Sequence, residues 1–162
     1  MNTMRKIVLV CACLLCASTS TPGQPAVADA KAVEAAVATF LRDSFPSADA
    51  SFDSRFKVNN KSGGERPLDR VESFARALGG RPAHKEDVLK CGASRQSCTL
   101  STAAFFRLSA PTVSSSTATV TVEHVVRSGL ERVPLTSTEI EITLRLTKGR
   151  WQVVSTQMLS TS

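Results

Sequence analysis

Few side chains in this sequence are suited to acid–base chemistry. The chain has two histidines, His84 and His124, and no tyrosine. His124 lies in a Thr- and Val-rich stretch, residues 117–126, that predicts a strand. Neighbours on a strand point to opposite faces, so Glu123 points away from His124, whereas Val122 shares its face. Two interpretations stay open: His124 is a base in a pocket, or it is a partly buried, hydrogen-bonded histidine of the core.

The remaining candidate residues match no common catalytic, metal-binding or cofactor-binding pattern. His84 stands beside Lys85, Glu86 and Asp87, which predicts a solvated loop. Cys91 and Cys98 enclose six residues and match no common zinc-ligand spacing, so we expect no metal. The sequence also lacks the Gly-x-Ser-x-Gly turn of serine hydrolases and a glycine-rich phosphate loop, so we predict no cofactor.

The N-terminus has the pattern of an export signal. Arg5 and Lys6 precede an apolar run, residues 7–17, that is too short to span a bilayer. Ala26-Val27-Ala28 offers small residues to signal peptidase, which predicts cleavage between Ala28 and Asp29 and no transmembrane span in the mature chain. Earlier cleavage near Ser18 or Ser20 and an uncleaved anchor are the alternatives.

The cysteines fall into two groups. Cys11, Cys13 and Cys16 lie in the apolar run, and Cys13 is the best placed of them for lipid attachment, so a lipid-anchored form stays open. Cys91 and Cys98 remain after cleavage. An even count in an exported chain predicts one disulfide between them, and a periplasmic or extracellular location.

Charge excludes one class of partner. The 162 residues carry a formal net charge of +6, and residues 53–98 hold ten basic against six acidic side chains. Acids interrupt the basic residues, and only Phe56 and Phe74 are aromatic there, so we predict no nucleic-acid binding. The length allows one domain, residues 29–162, after a signal peptide of residues 1–28.

Apolar spacing predicts the elements that must position these residues. Residues 29–45 show a helical stripe, which Asp29 would cap and Pro46 would end, and residues 67–78 form a second helix closed by Gly79 and Gly80. Alternation then predicts strands at residues 104–110, 117–126, 136–146 and 151–158. The predicted fold class is α+β, with two N-terminal helices packed on a curved four-stranded antiparallel meander.

The predicted core joins the cleanest strand to the helices. Its inward-facing members on the strands are Ile140, Ile142, Leu144 and Leu146, together with Trp151 or its strand partners. Their predicted partners on the helices are Val37, Phe40, Leu41 and Phe74.

This layout, together with the terminal segment from Gly149 and Arg150 through Trp151 to Val154, resembles the nuclear transport factor 2-like superfamily of cone-shaped α+β domains. The resemblance implies a pocket between helices and sheet. Some members are enzymes, such as ketosteroid isomerase and scytalone dehydratase, and others bind ligands or assemble. The isomerase depends on a tyrosine in its oxyanion hole, and this chain has none.

Three functions follow as hypotheses. The first is a non-catalytic exported domain that binds an unknown small ligand or a protein partner, with a homodimer through the sheet face as one form. The second is a small pocket enzyme, isomerase- or dehydratase-like, using His124 with Glu123, Glu139 or Glu141. The third is a structural envelope lipoprotein.

Overall fold

The computed structural model describes residues 25–93, 98–130 and 133–162. Within these residues the helices are α1 (Pro25–Ser44), α2 (Leu68–Leu78) and α3 (Lys85–Val88). The strands are β1 (Ala50–Asp53), β2 (Arg55–Val58), β3 (Lys61–Glu65), β4 (Arg81–Ala83), β5 (Leu89–Cys91), β6 (Cys98–Leu100), β7 (Ala104–Leu108), β8 (Thr112–Ser114), β9 (Thr117–Leu130), β10 (Val133–Thr147) and β11 (Arg150–Thr161). The predicted lipid-attachment candidates, Cys11, Cys13 and Cys16, lie outside the described residues.

Seven of these strands form one mixed sheet. Its order is β11-β10-β9-β7-β1-β4, with β8 also paired to β9. β1 runs parallel to both β4 and β7, whereas the other neighbours are antiparallel. The predicted fold class, two helices on a four-stranded antiparallel meander, is therefore wrong. Strands β7, β9, β10 and β11 do lie side by side and antiparallel, but they are only part of a larger sheet.

Strand β1, which the predicted meander did not include, explains the error. All four of its residues are buried, including Ser51 and Asp53, because the strand lies between β4 and β7 and is covered on both faces. A strand buried on both sides loses the period-two alternation that identifies strands in a sequence. Ser51 satisfies its hydroxyl by donating to Thr102 Oγ1 at 3.1 Å.

Helix α1 begins upstream of its predicted start. It starts at Pro25, so Ala28 and Asp29 lie inside the helix and Asp29 does not cap it. Its stripe of Val33, Val37 and Leu41 is fully buried. The helix ends at Ser44, one residue before its predicted end at Phe45 and two residues before Pro46. The prediction of cleavage between Ala28 and Asp29 stays a prediction.

Helix α2 follows its sequence signals closely. Pro67 precedes the first helical residue, and Gly79 ends the helix in the left-handed region at a φ of 72°, donating its N–H to the carbonyl of Ala75. Gly80 then passes so close to β1 that a Cβ there would lie 2.8 Å from the carbonyl oxygen of Ala50. This approach brings β4 alongside β1.

One face of the sheet packs on α1 and α2 and holds the main core. Ile140, Ile142, Leu144 and Trp151 are buried there together with Val37, Leu41 and Phe74, which confirms the predicted partners; Phe40 and Leu146 are only partly buried. None of the helices in the described chain has the length and hydropathy needed to cross a membrane.

The opposite face is covered as well, by the β5–β6 hairpin and α3. A second apolar cluster forms there from Val88, Leu100, Phe105 and Val125. A disulfide joins Cys91 to Cys98 with the two Cα atoms 3.9 Å apart, which confirms the predicted pairing. The sequence did not predict this second cluster, because the hairpin strands have only three residues each.

Candidate functional site

The sheet holds His124 on its helix-covered face. On β9, His124 lies opposite Phe106 of β7 and Thr138 of β10. Its imidazole stacks on the Phe106 ring, with centroids 4.7 Å apart and planes 9° apart, and it meets the Phe45 ring at 4.6 Å. The residue is only 9% exposed, so two aromatic rings and the sheet enclose most of the imidazole.

This enclosure favours the neutral form of His124. Burial lowers its pKa from 6.5 to about 4, because the surrounding rings cannot solvate an imidazolium ion. The side chain is therefore neutral at neutral pH. Its Nε2 atom is buried and has no hydrogen-bond partner among the described residues. A buried nitrogen without a partner costs about 1–3 kcal/mol, so it needs a reason to persist.

A cavity of about 390 Å³ opens beside this imidazole, at the end of α1. Its walls are formed by Phe45, Pro46, Ser47, Ala48, Ala103, Ala104, His124 and Val126. Six of these eight residues are apolar, and Ser47 and His124 are polar, so the cavity combines a mainly apolar lining with two polar side chains. That combination is typical of small-molecule sites.

The carboxylates that were proposed to work with His124 are on the other side of the sheet. Glu123 and Glu139 lie directly opposite each other on β9 and β10, and Glu141 lies opposite Thr121, all one residue out of phase with His124. The structure therefore does not bring His124 together with any of these three carboxylates.

Two of those carboxylates are engaged in ion pairs. Arg107 Nε donates to Glu123 Oε2 at 2.6 Å, and Lys85 Nζ lies 3.5 Å from Glu123 Oε1. Lys57 Nζ donates to Glu139 Oε1 at 2.5 Å. Arg107 and Lys57 are themselves buried, so these contacts compensate buried positive charge.

A second buried polar cluster, around Glu34, has no recognisable signal in the sequence. Glu34 of α1 is buried, and its Oε1 accepts from Arg66 Nε at 3.3 Å, while Oε2 accepts from Arg70 Nε at 2.8 Å. Arg70 Nη2 also lies 2.8 Å from Glu34 Oε1, but its N–H groups are not aligned with that oxygen, so this contact is an ion pair without a hydrogen bond. Both guanidinium groups stack on the Phe56 ring.

Arg66 makes this cluster a structural link. Its Nη1 donates to the carbonyls of Asp53 and Arg55, and its Nη2 to that of Leu108 at 3.0 Å. Burial lowers the pKa of Arg66, and the neighbouring Glu34 opposes that shift. The Arg66 side chain joins α1, β1, β2 and β7, and its Nη1 and Nη2 atoms donate to backbone carbonyls. We therefore assign Arg66 a structural role in holding these elements together.

His84 and possible metal ligands add nothing to the site. His84 precedes α3, its side chain is 45% exposed, and its Nδ1 lies 3.9 Å from Glu65 Oε1. In the described part of the chain, no three His, Cys, Asp or Glu side chains converge in a way that could hold a metal ion.

Fold and site together define a class: a domain built on a mixed seven-stranded sheet, with a mainly apolar cavity and a neutral histidine at one end of the helix-covered face. Compared with protein-family models, with curated proteins and with solved structures, the chain gives no match. Its resemblance to the nuclear transport factor 2-like superfamily stays a prediction.

Proposed function

We propose that this protein is an exported binding domain that holds a small, neutral, mainly apolar molecule carrying one hydroxyl group in the His124 cavity, without transforming it. The observation that carries the proposal is that His124, whose Nε2 is buried and has no hydrogen-bond partner among the described residues, lines a mainly apolar cavity. A ligand hydroxyl that reached this nitrogen would satisfy it, and the cavity walls would cover the apolar body of the ligand.

The chemistry of the site limits the ligand class. A neutral imidazole carries one N–H donor and one acceptor nitrogen, and a hydroxyl group can serve either. An ionised ligand would place a charge in a cavity whose lining is mainly apolar and contains no charged residue, which is costly without a paired counter-charge. A neutral molecule is therefore favoured over an anion or a cation.

Two observations support binding over acid–base catalysis. A histidine with a pKa of about 4 is a weak base at neutral pH. Glu123, Glu139 and Glu141 lie on the face of the sheet opposite His124, so none can orient the imidazole or share a proton with it. The first hypothesis therefore stands ahead of the pocket enzyme.

The test compares two probes that differ by one hydroxyl, 4-ethylphenol and ethylbenzene, by calorimetry on the exported protein. We expect the phenol to bind about two- to tenfold more tightly, the value of one hydrogen bond. In His124→Phe the aromatic shape remains but the nitrogen is lost, so this preference should disappear while ethylbenzene still binds.

A second pair of variants checks the location. Ala103 lies exposed at the cavity, so Ala103→Trp should block both probes without disturbing the core. Ala110→Trp, at an exposed position outside the cavity lining, is the matched control and should bind both normally. Equal affinity for the two probes in the wild type, or no binding at millimolar concentration, would reject the proposal.

The export part of the proposal has separate support. A disulfide and the absence, among the described helices, of one able to cross a membrane fit an exported protein. N-terminal sequencing of the protein recovered outside the cytoplasm should begin at Asp29, or between Thr19 and Thr21 for earlier cleavage. A recovered chain that starts at Met1 would contradict cleavage.

A further inference from the structure

The two edges of the main sheet are very different. At one edge, β4 has only three residues and contains Pro82, which cannot donate to a further strand. At the other edge, β11 has twelve residues and pairs only with β10 in the described part of the chain. The outer side of β11 thus carries a row of backbone groups about 40 Å long with no strand beside it.

Strand β11 has only one of the usual protections of an exposed edge. Natural edge strands commonly carry lysine, proline or β-bulges, or are very short, since an unprotected edge pairs with other chains. Strand β11 is bulged at Val154 and Leu159, but residues 152–162 contain no charged residue, no proline and no glycine. Its large apolar side chains are also exposed: Val154 at 50%, Met158 at 66% and Leu159 at 47%. The strand therefore has the properties of a paired strand without a described partner.

We propose that β11 pairs antiparallel with β11 of a second copy, so that two sheets continue into one across a two-fold axis at Thr156. A two-fold axis perpendicular to the sheet keeps each side chain on its own face. One residue must therefore face its own copy at the axis, and a residue that precedes it by some number of positions faces the residue that follows it by the same number in the second copy. With Thr156 at the axis, Val154 faces Met158 of the partner subunit, and Met158 faces the partner's Val154. Two exposed apolar side chains of each copy are then covered.

The pairing of β10 with β11 fits this register. Register shifts beside Leu144 and Ile140 leave one extra residue of β11 at Val154 and another at Leu159. Between those points, residues 155–158 pair regularly with β10, so the proposed axis at Thr156 lies in the regular segment, whereas Val154, which faces Met158 across the axis, is itself the extra residue of one bulge. A second copy is favoured over a charged partner because the edge is uncharged and complementary to itself.

The proposal is tested by cross-linking the exported protein. In Thr156→Cys, the two thiols would face each other across the axis at a Cα separation of about 4.5–5.5 Å, which suits a disulfide. Gln157→Cys is the matched control on the next exposed residue, where the thiols are offset along the strands. Mass spectrometry should find the linked dimer predominantly in Thr156→Cys. Preferential linkage through Gln157→Cys would overturn the axis, and linkage of neither would overturn the pairing.

Charge variants provide a second readout by analytical ultracentrifugation. The wild type should sediment as a dimer at micromolar concentration, and Thr156→Lys, which sets two like charges against each other, should weaken the dimer roughly tenfold or more. Gln152→Lys adds the same charge away from the axis and should stay dimeric. Mixing Thr156→Lys with Thr156→Glu should restore the dimer. A monomeric wild type, or dimerisation that ignores Thr156→Lys, would refute the proposal.

Discussion

The imidazole of His124 lies parallel to the ring of Phe106, with centroids 4.7 Å apart, and this contact makes the histidine a determinant of stability at acidic pH. The unfolded chain binds a proton at His124 below a pH of 6.5, but the folded chain does so only below about 4. Between these values the unfolded state binds more protons, so stability falls as the pH falls. The loss is complete below the folded pKa and amounts to as much as about 3 kcal/mol.

His124→Phe should remove this pH dependence. We expect urea unfolding to show the wild type losing stability relative to the variant from pH 6.5 to 4, with the two curves nearly parallel above pH 6.5. Every other ionisable group is the same in the two proteins, so the difference isolates His124. Parallel curves across the whole range would mean that the histidine is protonated with ease in the folded state.

Glu34 should be among the most sensitive positions for stability. Glu34→Ala leaves Arg66 and Arg70 without their shared carboxylate in a buried site, and we expect a loss of about 3–5 kcal/mol. Asp69→Ala removes an exposed partner of Lys31 and should leave the unfolding midpoint unchanged. Thermal unfolding of the two variants makes the comparison. Equal midpoints would show that the Arg66 contacts to backbone carbonyls suffice without Glu34.

The disulfide should stabilise the β5–β6 hairpin that covers one face of the sheet. Replacing Cys91 and Cys98 by serine opens a short ring and should cost about 2–3 kcal/mol in the chain-entropy model. The main core lies on the other face of the sheet, so the fluorescence of Trp151, the single tryptophan, should stay native before unfolding. Loss of the native Trp151 signal in buffer without denaturant would instead show that the main core depends on the disulfide-linked hairpin.

Gly80 should report on the parallel pairing of β4 with β1. A methyl group there would lie 2.8 Å from the Ala50 carbonyl oxygen and push β4 away, so Gly80→Ala should cost about 1–3 kcal/mol. Gly64→Ala on β3 has open space around its Cβ and should be neutral. Chemical denaturation checks both. A neutral Gly80→Ala would argue against the close approach of these two strands.

The sequence by itself determined the elements whose signals are local. The spacing of Val33, Val37 and Leu41 specified the buried stripe of α1, and Gly79 marked the end of α2. Alternation specified which side of β10 faces the helices, and it separated His124 from Glu123. The cysteine count specified the disulfide. Each of these follows from backbone periodicity or from chemistry within a few residues.

Only the tertiary structure decided the rest, because it depends on contacts between distant segments. The place of β1 in the sheet was hidden because burial on both faces removes alternation, and the residues that pair with Ser51 lie 30 and 54 residues further along the chain. Arg66 precedes a proline in a polar stretch that reads as a surface loop, yet it is buried because Glu34, 32 residues away, neutralises it. The cavity beside His124 likewise exists because the end of α1 meets β7 and β9 there. Local propensity carries no information about contacts between segments that are distant in sequence, and these contacts are determined by tertiary packing.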